Sequence, residues 1–387
     1  VIEAHGLKGF KNFNASVSDP DIKNRVEKNY RIARQAILDN GFDYAEGIYH
    51  NNPNFIGVKE LAVQNMDWIA EAGINFIDQN KNNPFFLYFA TTIPHGPTNA
   101  ERSWLANPKV TAAGYLDEAP NVLPSRNTLT RRLREAGITT KGKENVLWLD
   151  DAIGALFDKL EELDILDNTI IFFFNDHGQK AKGTLYQGGL LNPSIIWKSG
   201  GFECGSRSKV KISNVDFVPT IIELAGGQNM DDKFDGNSFK SVLEGNSFQS
   251  RESLYCELGY ARAVIKDDYK YYAVRYPDYA KNWTAEQKDS VLKAYNKTRE
   301  FRSMEIVNRD PTKPFSHLEV IPGGGSAEHG SYGKVPGYFD PDQLYNLKDD
   351  PEEKKNLANN PAYKYVLTEM KAELQKYIDD LPGIFEL

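Results

Sequence analysis

Cysteine is scarce: Cys204 and Cys256 are the only two in 387 residues, which excludes a disulfide framework or a cysteine-rich zinc site and leaves their own pairing open. Long apolar runs are missing as well. No stretch reaches the roughly eighteen apolar residues of a membrane-crossing helix, and the first residues, VIEAHGLKGF, lack a charged segment followed by an apolar one. Because the chain starts on Val1 and not on Met, we expect it to lack its natural N-terminus, so a missing leader says nothing of the compartment. Positive charge is short too: the formal net charge is −8 and no basic stripe stands out, which counts against nucleic acid as a partner. There is no internal repeat and no low-complexity tract.

What is present suffices for one large core and a smaller second one, since 40% of residues are hydrophobic and 12% aromatic. Residues 59–80 place Leu61, Met66, Ile69, Ala70, Ile74 and Ile77 at helical spacing. They lead to a short apolar strand, FFLYFA at 85–90, which runs out before Pro94, His95 and Pro97. A helix over 145–163 carries Val146, Leu149, Ile153, Leu156, Leu160 and Leu163 on one stripe. TIIFFF, 169–174, reads as a strand covered on both faces, PSIIWK at 193–198 as another, and 215–227 as a helix ended by Gly226 or Gly227. Strand and helix in alternation predict an α/β fold, a mostly parallel central sheet sandwiched between helices. From 251 the texture changes. Two aromatic and β-branched runs separated by KDD within 253–277 predict a hairpin in a smaller antiparallel sheet. A glycine-rich loop over 317–343, a strand and turn in LYNLKDDPEEKKNLANNP, and a closing helix at 361–380 complete an α+β subdomain. The expected division is 1–250 and 251–387.

Chemistry gathers where the 169–174 strand stops. Ligands of open α/β sheets collect beyond the C-terminal ends of strands, and here Asn175, Asp176 and His177 follow, then Lys180, Lys182 and a run of glycines. A carboxylate next to an imidazole can ligate a divalent cation, and Lys182 beside Gly183 offers a point charge to an anion. His95, after a different strand, would reach the same rim. Plainer readings exist for each: an Asp-His turn bonded to its own backbone, a packed loop histidine, a solvated lysine face. Tyr260 and Arg262 in GYARAV would select substrate at the pocket mouth, or form an ordinary hairpin face. His317 and His329 flank the glycine-rich loop.

The ordered series NNPFFLYFATTIPHGPTN, LDNTIIFFFNDHG, KGTLYQGGLLNPSIIW, VDFVPTIIELAG, DGNSFKSVLEG and QLYNLKDDPEEKKNLA resembles the type I sulfatases, the formylglycine-dependent branch of the alkaline phosphatase superfamily. The resemblance runs along nearly the whole chain and implies an alkaline-phosphatase-like αβα sandwich. It implies that Asp176 and His177 ligate calcium, that His95 contacts the sulfate, and that Lys182 bridges the sulfate and a catalytic aldehyde hydrate. Gln187 stands where the family usually has Glu.

Three family features have no match here: the paired aspartates ending an N-terminal strand, the Cys-x-Pro-Ser-Arg sequence whose first residue becomes formylglycine, and Gly-Lys-x-His. VLPSR has Val122 in the nucleophile position and lies too late in the chain, and His5 is preceded two residues earlier by Glu3, not Lys. The sequence is therefore expected to be a fragment that begins just after the Gly-Lys-x-His segment and is inactive alone. For the complete enzyme the resemblance implies a calcium-assisted sulfuric ester hydrolase acting on a sulfated small molecule or glycan in the periplasm or outside the cell. A phosphodiesterase or phosphonate hydrolase of the same superfamily, and a non-catalytic binder of sulfated glycans, are the alternatives.

Overall fold

The structure, a computed structural model, describes residues 10, 12–95, 100–228, 234–246, 251–301, 303, 306, 308–313, 331 and 334–387. His5, His317, His329 and most of the expected glycine-rich loop lie outside the described residues. The chain divides into two compact units, 1–169 and 170–387. The change of texture at 251 falls inside the second, just before the first strand of its largest sheet.

In the first unit, α1 (Pro20–Leu38) opens on an Asp19 side chain that accepts from the Asp21 amide, with proline at the first turn. The cap and the proline are the marks of this helix in the sequence. α2 (Met66–Asn80) is shorter than the 59–80 expected, because Lys59–Leu61 forms a separate 3-10 turn and Asn65 caps the helix by accepting from the Trp68 amide. A minimal hairpin of β1 (Val110–Thr111) and β2 (Gly114–Tyr115) precedes α3 (Leu129–Glu135) and α4 (Glu144–Glu162). Met66, Ile69 and Ala70 of α2 share one core with Trp148 and Ala152 of α4. Inside it Arg126 donates to Asp67 and, at 2.6 Å, to Asn65, with its guanidinium 4.5 Å over the Trp148 ring. The arginine of VLPSR is thus a structural ion-pair partner. Residues 85–90, expected as a strand, run outside any ladder among the described residues, with Phe86 and Tyr88 mostly exposed.

The second unit begins with β3 (Ile171–Phe174), followed by α5 (Gln187–Leu190) and β4 (Ser194–Trp197). β3 and β4 pair antiparallel, from Ile171 opposite Trp197 to Phe174 opposite Ser194. The mostly parallel sheet expected from these strands is not formed among the described residues, where every ladder is antiparallel. A parallel neighbour needs a crossover, usually a full helix, whereas 175–193 folds back as a loop with a single four-residue turn. Phe172 and Phe174 pack on Phe217 of α6 (Phe217–Leu224). Phe173, Phe174 and Ile195 nonetheless stay partly exposed, so the strand pair is covered less than the apolar run suggests. A Ser213–Asp216 capping box opens the 3-10 turn that leads into α6, and Gly226 follows its end at φ +84°, as the glycine signal predicts.

After α7 (Lys240–Leu243) comes the antiparallel sheet: β5 (Ser253–Leu258), β6 (Ala261–Lys266), β7 (Tyr269–Val274) and, after α8 (Asp278–Lys281) and α9 (Ala285–Phe301), β8 (Asp342–Asn346). The strands follow in that order, so the expected hairpin is a four-stranded meander. Period-two alternation gives it two apolar faces. Val264, Tyr271, Ala273 and Leu344 pack on Met370 and Leu374 of the closing helix α10 (Lys364–Asp380). Ala261, Ala263, Tyr272 and Tyr345 pack instead on Ala181, Leu185 and Tyr186, the loop that follows β3. This face of the C-terminal sheet is therefore the floor beneath the loop that carries Lys182.

Candidate active site

β3 delivers Asn175, Asp176 and His177, and Asn192 fixes that delivery. Its side-chain oxygen accepts from the Asn175 amide at 3.0 Å while its NH2 donates to the Asn175 carbonyl, a sheet-like clamp made by one side chain. The Asp176 carboxylate is exposed, and its Oδ2 lies 3.3 Å from His177 Nε2. His177 Nδ1 is 2.8 Å from the Gly178 carbonyl, which can only accept, so Nδ1 carries a proton. In the neutral ring Nε2 then presents a lone pair beside a carboxylate oxygen. Two acceptors held that close call for a proton or a cation between them, which makes this pair a fit beginning for a metal site. Among the described residues no cluster of three or more His, Cys, Asp and Glu completes one.

The loop that follows is a backbone-on-backbone knot. Gly178 N–H donates to Gly189 O at 2.8 Å and Ala181 N–H to Gly188 O at 3.0 Å. A Cβ on Gly178 would lie 2.4 Å from Gly188 O, and one on Gly189 2.5 Å from the Ala181 and Thr184 carbonyls, so neither position admits a side chain without rearrangement. Gly183, at φ +75°, makes the turn after Lys182. Lys182 is half-buried and its carbonyl accepts from Ser331 Oγ at 3.2 Å. Lys180, by contrast, is exposed and pairs with Glu352 at 3.5 Å, the solvated lysine of the plainer reading.

Tyr260 and Arg262 sit where β5 turns into β6. Burial, then a 2.9 Å contact between the Tyr260 and Tyr279 hydroxyls, hold the Tyr260 phenol up at about 12. Arg262 pairs with Glu257 at 3.1 Å, donates to the Gly259 and Ala261 carbonyls and lies 5.0 Å over the Phe385 ring, so its guanidinium is engaged by the fold. His95 belongs to the first unit; it is exposed and its carbonyl accepts from Gln64 Nε2 at 2.7 Å. Of the residues singled out, Asp176, His177 and Lys182 share one loop system, whereas Tyr260 and Arg262 stand on a separate hairpin. Asn192 escaped the sequence reading, and its only sequence signal is a side-chain amide just before a strand. Cys204 and Cys256 are both free thiols. No helix among the described residues is long and apolar enough to cross a membrane.

The architecture is of the alkaline-phosphatase-like class. A solved structure, BT4656 in complex with its substrate D-glucosamine-2-N,6-O-disulfate, superposes with a TM-score of 0.50 at 18% identity, over 81% of this chain and 69% of that one. The chain belongs to the sulfatase family, whose model matches residues 4–227. Two relatives from Formosa agariphila are both ulvan-active sulfatases. One is 29% identical over 60% of this chain and 37% of its own length, the other 25% identical over 78% and 53%. The chain thus spans about half the length, or less, of these relatives.

Proposed function

We propose that the complete protein hydrolyses a sulfate ester on a carbohydrate, outside the cytoplasm. The observation that carries this reading is the Asp176–His177 acceptor pair set on the same glycine-knotted loop as Lys182, in a chain of the sulfatase family. Asp176 and His177 would hold a divalent cation, calcium by family resemblance, which supplies positive charge to the sulfate oxygens. In the neutral ring, the Nδ1–H engaged by the Gly178 carbonyl leaves the Nε2 lone pair for that task. Lys182 adds a second positive charge to the anion, and charge aimed at oxygens where negative charge develops is worth more in the transition state than in the ground state. The formylglycine nucleophile of the family has no counterpart among these residues, and His95 has a sulfate contact by resemblance only. The ulvan and glucosamine sulfate specificities of the relatives point to a sulfated sugar as the substrate class.

The test is release of inorganic sulfate from sulfated oligosaccharides by the complete protein, with Lys182→Ala and His95→Ala alongside. Sulfate release that collapses in Lys182→Ala supports the proposal. Turnover of phosphate diesters or phosphonates without sulfate release would move the protein to the phosphodiesterase reading, and binding of sulfated glycan without release to the non-catalytic one.

A further inference from the structure

Two charged side chains outside the site are almost completely closed off from water. Lys270 of β7 and Glu353, in the turn after β8, have side chains 0% and 1% exposed and meet at 2.8 Å. Burial pushes the Lys270 ammonium down and Glu353 pulls it back up. A buried ion pair is seldom more stabilising than apolar residues of the same shape, so its presence asks for a reason beyond stability. Glu353 also adopts φ +57°, a left-handed conformation that is unfavourable for a residue with a Cβ and persists only where the surroundings enforce it.

The third partner supplies the reason. Glu353 Oε1 faces Lys270, while Oε2 accepts from the Gln187 amide at 2.6 Å, the first N–H of α5. Lys270 lies on the loop-facing side of the sheet, 5.9 Å over the ring of Tyr186. Tyr186 itself stacks on Tyr272 at 4.7 Å and donates to Gln343 at 2.8 Å. From α5 the restraint passes through two backbone bonds, Gly189 O to Gly178 N–H and Gly188 O to Ala181 N–H. Gly178 follows His177 and Ala181 precedes Lys182. The contact uses only the main chain of residue 187, so glutamine in place of the family's usual glutamate leaves it intact.

We infer that Lys270 and Glu353 are positioning residues: the carboxylate, oriented by the buried ammonium, anchors the Gln187 amide and thereby sets the loop that presents His177 and Lys182. The catalytic consequence rests on the sulfatase reading, whereas the anchoring of the loop stands without it.

Hydrogen exchange on the complete protein separates the possibilities. K270M/E353L replaces the pair by apolar side chains of similar size and removes the acceptor; K270M/E353Q removes the charges but keeps an amide oxygen for Gln187. Q187P deletes the donor along with the glutamine side chain, at a first-turn position where proline is tolerated, and leaves the ion pair in place. The expected result is exchange at 178–190 faster by about tenfold or more in K270M/E353L and Q187P, with 261–266 and 269–274 within about twofold of wild type, and recovery in K270M/E353Q. Unchanged exchange at 178–190 would overturn the inference. So would an equal rise throughout the sheet, which means a general loss of core stability, or no recovery with glutamine, which means that the acceptor for the Gln187 amide is not what holds the loop. Should K270M/E353L not fold, Q187P alone decides. In the complete protein, loop release should lower kcat more than it raises KM. If exchange behaves as expected while no form, wild type included, releases sulfate, the sulfatase reading falls and the anchor remains.

Discussion

Glu373 offers a prediction whose sign and size follow from its surroundings. It projects from α10 with its side chain only 8% exposed, and accepts from Ser253 Oγ at 2.7 Å, Lys376 at 2.8 Å and Lys266 at 3.3 Å. Burial pushes its carboxyl up, but the three hydrogen bonds outweigh it and hold the group at about 2, against an ordinary value of 4.5. A folded-state pKa below the unfolded one means stability that is complete above the unfolded value and lost as pH falls through the folded one. Taken whole, the shift corresponds to about 3 kcal/mol, and because Lys376 is solvent-exposed we expect about 1.5 kcal/mol. Glu373→Gln keeps an acceptor for Ser253 and removes the charge. Urea unfolding of both proteins should therefore differ by about 1.5 kcal/mol near pH 7 and by well under half of that near pH 3. Asp342, also held at about 2 because bonds from Lys371, Tyr271 and Arg275 outweigh its burial, titrates in both proteins and cancels from the difference. A difference that stays constant from neutral pH to pH 3, or widens on acidification, would refute the reasoning.

Lys182→Ala in the complete protein should reduce kcat by about two to three orders of magnitude with little change in melting temperature; values within a few-fold of wild type would make Lys182 an ordinary loop lysine. Arg126→Leu leaves the buried Asp67 carboxylate without its opposite charge and should cost about 3–5 kcal/mol in urea unfolding, so a loss under about 1 kcal/mol would show the pair to be dispensable. Gly178→Ala sets a methyl against Gly188 O and should destabilise by about 1–3 kcal/mol, read by calorimetry; a neutral effect would mean that the loop yields easily. The 387 residues alone should hydrolyse no 4-nitrocatechol sulfate and bind calcium weakly by calorimetric titration, and brisk turnover would overturn the assignment of the nucleophile to sequence outside them.

Local pattern determined the elements whose signals lie within a few residues. The leucine stripe of α4, the aromatic run of β3, the glycine that stops α6 and the place of Asp176 and His177 at the end of β3 were all legible, because periodicity, turn chemistry and strand ends are written in adjacent positions. Partner choice was not. β3 and β4 look like members of a parallel sheet until the glycine knot folds 175–193 back and makes them antiparallel neighbours. Arg262, which reads as a substrate contact, finds Glu257, two carbonyls and Phe385. Lys270, in a run that reads as a hairpin strand, and Glu353, in a stretch that reads as a turn, meet 83 residues apart in a closed interior, as Arg126 and Asp67 do across 59. A charge in sequence carries no mark of whether water or a distant opposite charge will face it, and that difference is decided only when long-range packing removes the water.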